Sequence, residues 1–227
     1  MHIGLASLPL HGPDVLDTLH TILLQASHLG VMVVCTNARS IRVAADAQGF
    51  IDDAASLARE LRLALIIPLV AEATEQDIVA ILSPGGNPIA VYSPQTSCRI
   101  PVFNVAGMCC GIVMEDALWR RSEPVHILAR RGAQVIFHVH GTVLDEDQRP
   151  PRTWCDTDAS FHEKILVCRS VEAGVPLVSV GPAHPRQAAA TAVIAPDGSC
   201  LCHHPYGQPG LLVHQIHDAT GTQGCLV

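Results

Sequence analysis

Apolar and polar positions alternate along this chain in a way that separates strands from helices. His2 to Leu8 is a short apolar run suited to a strand buried on both faces. Asp14, after Gly12-Pro13, is placed to cap a helix. Val15, Leu16, Leu19, Ile22, Leu23, Ala26 and Leu29 then recur at helical spacing until Gly30 ends the run. Val31 to Cys35 reads as a second strand, completing a β-α-β unit. A helix over Asp52 to Arg62, with Ala54, Ala58 and Leu61 on its apolar stripe, leads to a strand from Leu63 to Val70. Ile78 to Leu82 and Ile89 to Tyr92 flank Ser83-Pro84-Gly85-Gly86-Asn87, a hairpin turn.

The second half repeats the style. Val102 to Val105 and Cys109 to Met114 read as strands, and Ser122-Glu123-Pro124 opens a helix that stops at Gly132. Ala133 to Val139 is a strand, and a helix runs from about Asp158 to Ala173. Val175 to Val180, Thr191 to Ala195, Ser199 to His203 and Leu211 to Ile216 are further strands, with Pro196-Asp197-Gly198 a tight turn. Helical crossovers mixed with hairpins predict an α/β fold of mixed sheets with helices on their outer faces. No linker or repeat interrupts the pattern, so a single domain over 1–227 is expected.

Composition narrows the function classes. The chain is 48% hydrophobic and 15% charged, which favours a packed core over disorder. No apolar run is long enough to span a bilayer, and the first residues lack the basic and small-residue features of a secretory signal. A net charge of −7 without a basic patch argues against nucleic acid. A cytoplasmic globular protein, with no membrane partner, is the expectation. The nine cysteines include no CxxC pair and are expected as free, mostly packed thiols.

Four strings carry a resemblance. Gly107-Met108-Cys109-Cys110-Gly111-Ile112-Val113-Met114-Glu115-Asp116 lies over a G-x-x-G-x-x-I-C-x-D pattern. Leu128 to Ile136 (LARRGAQVI) is similar to L-A-x-x-G-A-x-V-I, and Phe161 to Ala173 to a helix ending R-A-x-E-N. Thr191 to Gly198 is similar to S-x-I-x-x-P-x-G. In these strings and their order the chain resembles the carbon–nitrogen hydrolase (nitrilase/amidase) superfamily, nearly end to end. The resemblance implies a nitrilase-like four-layer αββα sandwich that pairs into homodimers. It also implies a Glu–Lys–Cys site in which the thiolate attacks an amide or nitrile carbon, Glu moves the proton and Lys steadies the oxyanion.

Carried over residue by residue, that site is substituted throughout. Asn37 stands at the Glu position, and an amide cannot take a proton from a thiol. The Lys position is lost near Pro94, and the loop between Thr96 and Pro101 is shortened; no Lys occurs before Lys164. Met114 falls on the nucleophile position, and a thioether cannot form an acyl-enzyme.

Substitute chemistry is the other reading. His138 and His140, two apart on a strand, share a face and could hold a divalent metal with Asp116 to activate water. Glu72, Glu115 and Asp116 are the pocket carboxylates, with Asp116 also suited to hydrogen-bonding the turn, and Arg99 is the basic side chain nearest the vacated Lys position. Cys35, Cys109 and Cys110 are expected as packed thiols, and Cys200-x-Cys202-His203-His204 as a hairpin edge. Glu163 and Lys164 are expected on a solvated helix face, while Arg169 and Glu172 are expected to brace the fold and a dimer contact. The expectation is therefore a pseudo-amidase, without cofactor, that binds a small molecule or acts as a scaffold. The alternative is a hydrolase of amide or nitrile C–N bonds using His138, His140 and Asp116 with a metal, or a rearranged Cys.

Overall fold

The computed structural model describes residues 1–10, 12, 15–44, 47–94, 102–159 and 161–216. In chain order the elements are β1 (His2–Ser7), α1 (Val15–His28), β2 (Val33–Thr36), β3 (Arg42–Val43), α2 (Ala47–Leu61), β4 (Ala64–Ala71), β5 (Gln76–Leu82) and β6 (Pro88–Tyr92). They continue with β7 (Val102–Val105), β8 (Met108–Met114), α3 (Asp116–Arg120), α4 (Glu123–Arg130), β9 (Val135–Val139), α5 (His162–Ala173), β10 (Leu177–Val180), β11 (Ala192–Ile194), β12 (Cys200–His203) and β13 (Gly210–Gln215). The expected order of strands and helices holds. Two short elements without a sequence signal, β3 and α3, are added. The expected cap at Asp14 lies outside the described residues.

Two mixed sheets form. The first has the order β13-β1-β2-β4-β5-β6, with β3 on β4, and the second the order β12-β11-β10-β9-β8-β7. Alternation along each central strand feeds three separate cores. On β2, Val33 and Cys35 face the space between the sheets, while Val34 joins the outer cluster under α1 and α2. On β9, Val135, Phe137 and Val139 face the same inter-sheet space, while Ile136 points outward to the layer holding α3, α4 and α5. Helix, sheet, sheet and helix thus stack as the αββα sandwich expected. Close approach of α4 is permitted by Gly111: a Cβ there would stand 2.7 Å from a methyl of Leu128.

The parallel strands β1, β2 and β4 of one sheet, and β8, β9 and β10 of the other, run so that their C-terminal ends meet. At that end the hydroxyls of Ser7 and Thr191 are hydrogen-bonded at 2.7 Å across the sandwich, and the Ala183 N–H donates to Leu8 O at 2.9 Å. Ligand sites of α/β sheets form at such strand ends.

Among the described residues, no helix is long and apolar enough to cross a membrane.

Candidate functional site

The turn from β8 into α3, at this end of the molecule, is strained. Glu115 holds φ 46° and ψ −135°, a conformation that a non-glycine residue adopts only when its surroundings impose it. Its N–H donates to Val139 O at 3.0 Å, and its carbonyl accepts from Nε2 of His138 at 3.2 Å. A carbonyl can only accept, so the His138 proton sits on Nε2, and the Ser179 hydroxyl donates to Nδ1 at 3.3 Å. Complete burial holds His138 neutral, with its pKa lowered to about 3.

The Glu115 carboxylate is the centre of the polar contacts here. Oε1 accepts from the Gly141 N–H at 2.9 Å and from Nε of Arg39 at 3.2 Å, and Oε2 accepts from the Thr142 hydroxyl at 3.3 Å. Burial raises its pKa, an effect countered by the Gly141 N–H, Arg39 and Thr142 and reinforced by the charge of Asp77. Gly141 must be a glycine, because a Cβ there would stand 2.9 Å from Ala38 O and from Arg39 Cβ. The loop after β2 and the loop after β9 close on the turn through that contact.

Asn37 is fully buried beside them, and its amide is wholly committed. Oδ1 accepts from Leu8 N at 2.8 Å, while Nδ2 donates to Ala38 O at 3.1 Å and to Ser40 Oγ at 2.5 Å. It staples the end of β1 to the loop after β2. Neither side-chain atom is left for a ligand.

The other expected site residues divide. Met114, expected at the nucleophile position, ends β8 with its side chain in the inter-sheet core, and the strained turn belongs to its neighbour Glu115. Asp116 turns outward, 59% exposed, and pairs with Arg120 at 2.9 Å. His138 and His140 do share a face, as expected, but it is the helix-covered face: Trp119 lies edge-on to both rings, and the imidazoles stack 5.1 Å apart at 14°. A parallel stack does not converge two nitrogens on one ion, and Asp116 is not with them. Among the described residues, no group of three His, Cys, Asp or Glu side chains could hold a metal ion. Glu72 pairs with Arg42 at 3.4 Å, in a surface depression lined by Leu10, Val15 and Ile41. Pro94 is a half-buried turn residue, and Arg99 lies outside the described residues.

The two core thiols, Cys35 and Cys110, are unsuited to attack. Cys35 and Cys110 share the inter-sheet core, and burial pushes Cys35 well up and Cys110 up to about 12. Cys109 is half-buried on the opposite face of β8. On β12 the burial alternates, with Leu201 and His203 exposed and Cys200 and Cys202 half-buried, as a hairpin edge requires.

Glu163 overturns the solvated-face reading of its helix. It is buried, and its carboxylate accepts from Cys155 N at 2.7 Å, Ala190 N at 2.9 Å and Tyr206 OH at 2.9 Å. Lys164 reaches back to Ala159 O at 3.1 Å. Arg169 braces α5 on α3, donating to Leu118 O at 3.2 Å while pairing with Glu172 at 2.8 Å. Arg39, Gly141, Thr142, Trp119 and Ser179 were not singled out from the sequence. Their roles depend on loop closure between the two sheets, which no local pattern encodes.

No protein-family model and no curated protein matches the chain. Solved structures do. A cysteine-to-alanine mutant of the Nesterenkonia AN1 amidase from the nitrilase superfamily superposes with TM-score 0.75 at 19% identity, over 96% of this chain and 91% of that one. A glutamate-to-glutamine mutant of the amidase from Nesterenkonia sp. AN1 gives 0.76 at 21%, over 96% and 91%; it carries the acetamide moiety of fluoroacetamide added covalently at its active site cysteine. A further structure of an amidase from Nesterenkonia sp. gives 0.74 at 20%, over 96% and 90%. At these identities the likeness establishes the fold, which is that of the nitrilase-superfamily amidases.

Proposed function

We propose that this chain is a single-domain, cytoplasmic member of the carbon–nitrogen hydrolase superfamily that has exchanged its thiol site for a sealed carboxylate. In this reading it acts as a homodimeric pseudo-amidase with a binding or scaffolding role. One observation carries the reading. The residue on the strained strand-to-helix turn, where enzymes with this kind of elbow present their nucleophile, is Glu115.

Thiol chemistry needs a thiolate, a base to make it and donors aimed at the developing oxyanion. Here the turn carries a carboxylate and the base position carries the committed amide of Asn37. The donors that could face an oxyanion, the Gly141 N–H, the Thr142 hydroxyl and Arg39, already hold Glu115. Attack by the carboxylate itself on an amide would first give a tetrahedral adduct. Because carboxylate is a better leaving group than an amine, that adduct would return to the starting amide rather than expel the amine and leave an anhydride.

The reading is tested by ammonia release from aliphatic, aromatic and carbamoyl amides and from nitriles, comparing the native chain with Glu115→Gln. Neither protein is expected to exceed a heat-killed control. Release by the native chain that is lost in Glu115→Gln would overturn the reading in favour of a carboxylate-dependent hydrolase.

A further inference from the structure

Beneath the Glu115 turn lies a buried knot of aromatic rings that no hydrolytic site requires. Trp119 of α3 meets His138, His140 and His162 with ring centroids 4.3, 5.4 and 4.9 Å away, each edge-on at 79°, 74° and 85°. His138 and His140 are fully buried and His162 nearly so. Both ring nitrogens of His140 and the indole nitrogen of Trp119 are buried without a hydrogen-bond partner. Gly181 closes the Nε2 side of His140, since a Cβ there would stand 2.7 Å from that nitrogen. Helix α3 is thus held on β9 by ring packing, at the cost of unmet polar groups.

We propose that Trp119, His138, His140 and His162 form an acid-sensitive latch, in which a proton taken up by the cluster releases α3 from β9 and frees the Arg39–Glu115 pair. A neutral imidazole fits this packing, whereas a charged one would add a second N–H with no acceptor at His140 and place like charges one ring apart. His162 is the entry point, being the least buried of the three. Of the charged groups around the cluster, Asp116 favours a charged His162, while its carboxylate is also paired with Arg120. Glu115 turns its carboxylate to Arg39, Gly141 and Thr142; Glu163 turns to Cys155, Ala190 and Tyr206; Arg169 of α5 donates to the Leu118 carbonyl; and β10 offers Ser179 but no titratable side chain. Once α3 leaves, the His138 bond to the Glu115 carbonyl is lost and the strained turn relaxes.

The latch requires no assumption about catalysis, and its test reads neither ligand nor activity. Trp154→Phe leaves Trp119 as the sole tryptophan of the chain's two. Its fluorescence, the amide exchange of residues 115–120 and the far-UV dichroism are followed from about pH 8 to about pH 4, through and below the ordinary histidine range. The latch predicts a sigmoidal fluorescence loss centred below about pH 6.5 and exchange faster by on the order of tenfold, with the dichroism unchanged. His162→Gln, which removes the ring at the entry point, moves the midpoint to lower pH. Fluorescence that stays flat, fluorescence and dichroism that fall together, or a midpoint unmoved in His162→Gln would overturn the proposal.

Discussion

Arg39 and Glu115 meet at 3.2 Å, and both hold positive φ, 66° and 46°, on loops that belong to different sheets. Two non-glycine residues in that region cost about 1–3 kcal/mol each, so their neighbours must over-determine them. The ion pair itself is a small part of the compensation, because the Arg39 side chain is 56% exposed while that of Glu115 is 19%.

Truncation should separate these contributions. Arg39→Ala is expected to lower stability by less than about 1 kcal/mol, as for exposed ion pairs. Glu115→Ala should cost about 2 kcal/mol, because the half-buried Gly141 N–H loses its acceptor and alanine is no easier at positive φ. Urea unfolding of the two variants measures the order, and a larger loss in Arg39→Ala would contradict it.

The two strand histidines should respond in opposite ways. His138→Leu strips a donor from the Glu115 carbonyl and leaves the Ser179 hydroxyl unmet, costing about 1–3 kcal/mol. His140→Leu removes two unpartnered nitrogens and keeps most of the ring volume, so it is expected to leave the melting temperature unchanged or raised. Calorimetry of the pair checks the contrast.

Two glycines offer a graded test of the site's closure. Gly111→Ala presses on the flexible end of Leu128 and should cost about 1–2 kcal/mol. Gly141→Ala presses on backbone at Ala38 and should cost more, on the order of 3 kcal/mol or loss of folding, since backbone cannot step aside. Chemical denaturation of both variants gives the ranking.

Thiol labelling follows burial. Among the described cysteines, Cys168, exposed on α5, is expected to react with iodoacetamide first, while Cys35 and Cys110 react only in denaturant. Because burial pushes Cys110 up to about 12, its labelling in the folded chain should stay flat between about pH 7 and about pH 9. Peptide mapping across that range reads the outcome.

Much of the fold was legible because it rests on alternation and spacing. The strands that fill three cores carry continuous apolar runs, and the Ser83–Asn87 turn is closed as its composition implies, with Ser83 N donating to Asn87 O at 2.9 Å. The site was legible only in part. Asn37 is buried at the strand end where the resemblance put it, but the strained turn fell one residue beyond Met114, because φ is not written in a residue's identity. Glu163 looked solvated because its three partners, Cys155, Ala190 and Tyr206, come from separate loops. The outward face of His138 and His140 follows from the parity of β9, and only the packing of α3 shows that this face is covered.

The central claim is that the turn presents Glu115 and no reactive thiol. Fluoroacetamide, whose acetamide moiety is added at the active site cysteine of a glutamate-to-glutamine mutant of the amidase from Nesterenkonia sp. AN1, probes this directly. Intact mass and peptide mapping after incubation with the native chain are expected to show no adduct on residues 108–120, and no cysteine labelled faster than free glutathione. A rapid, stoichiometric adduct at one residue of this chain, slowed by competing acetamide, would contradict the account.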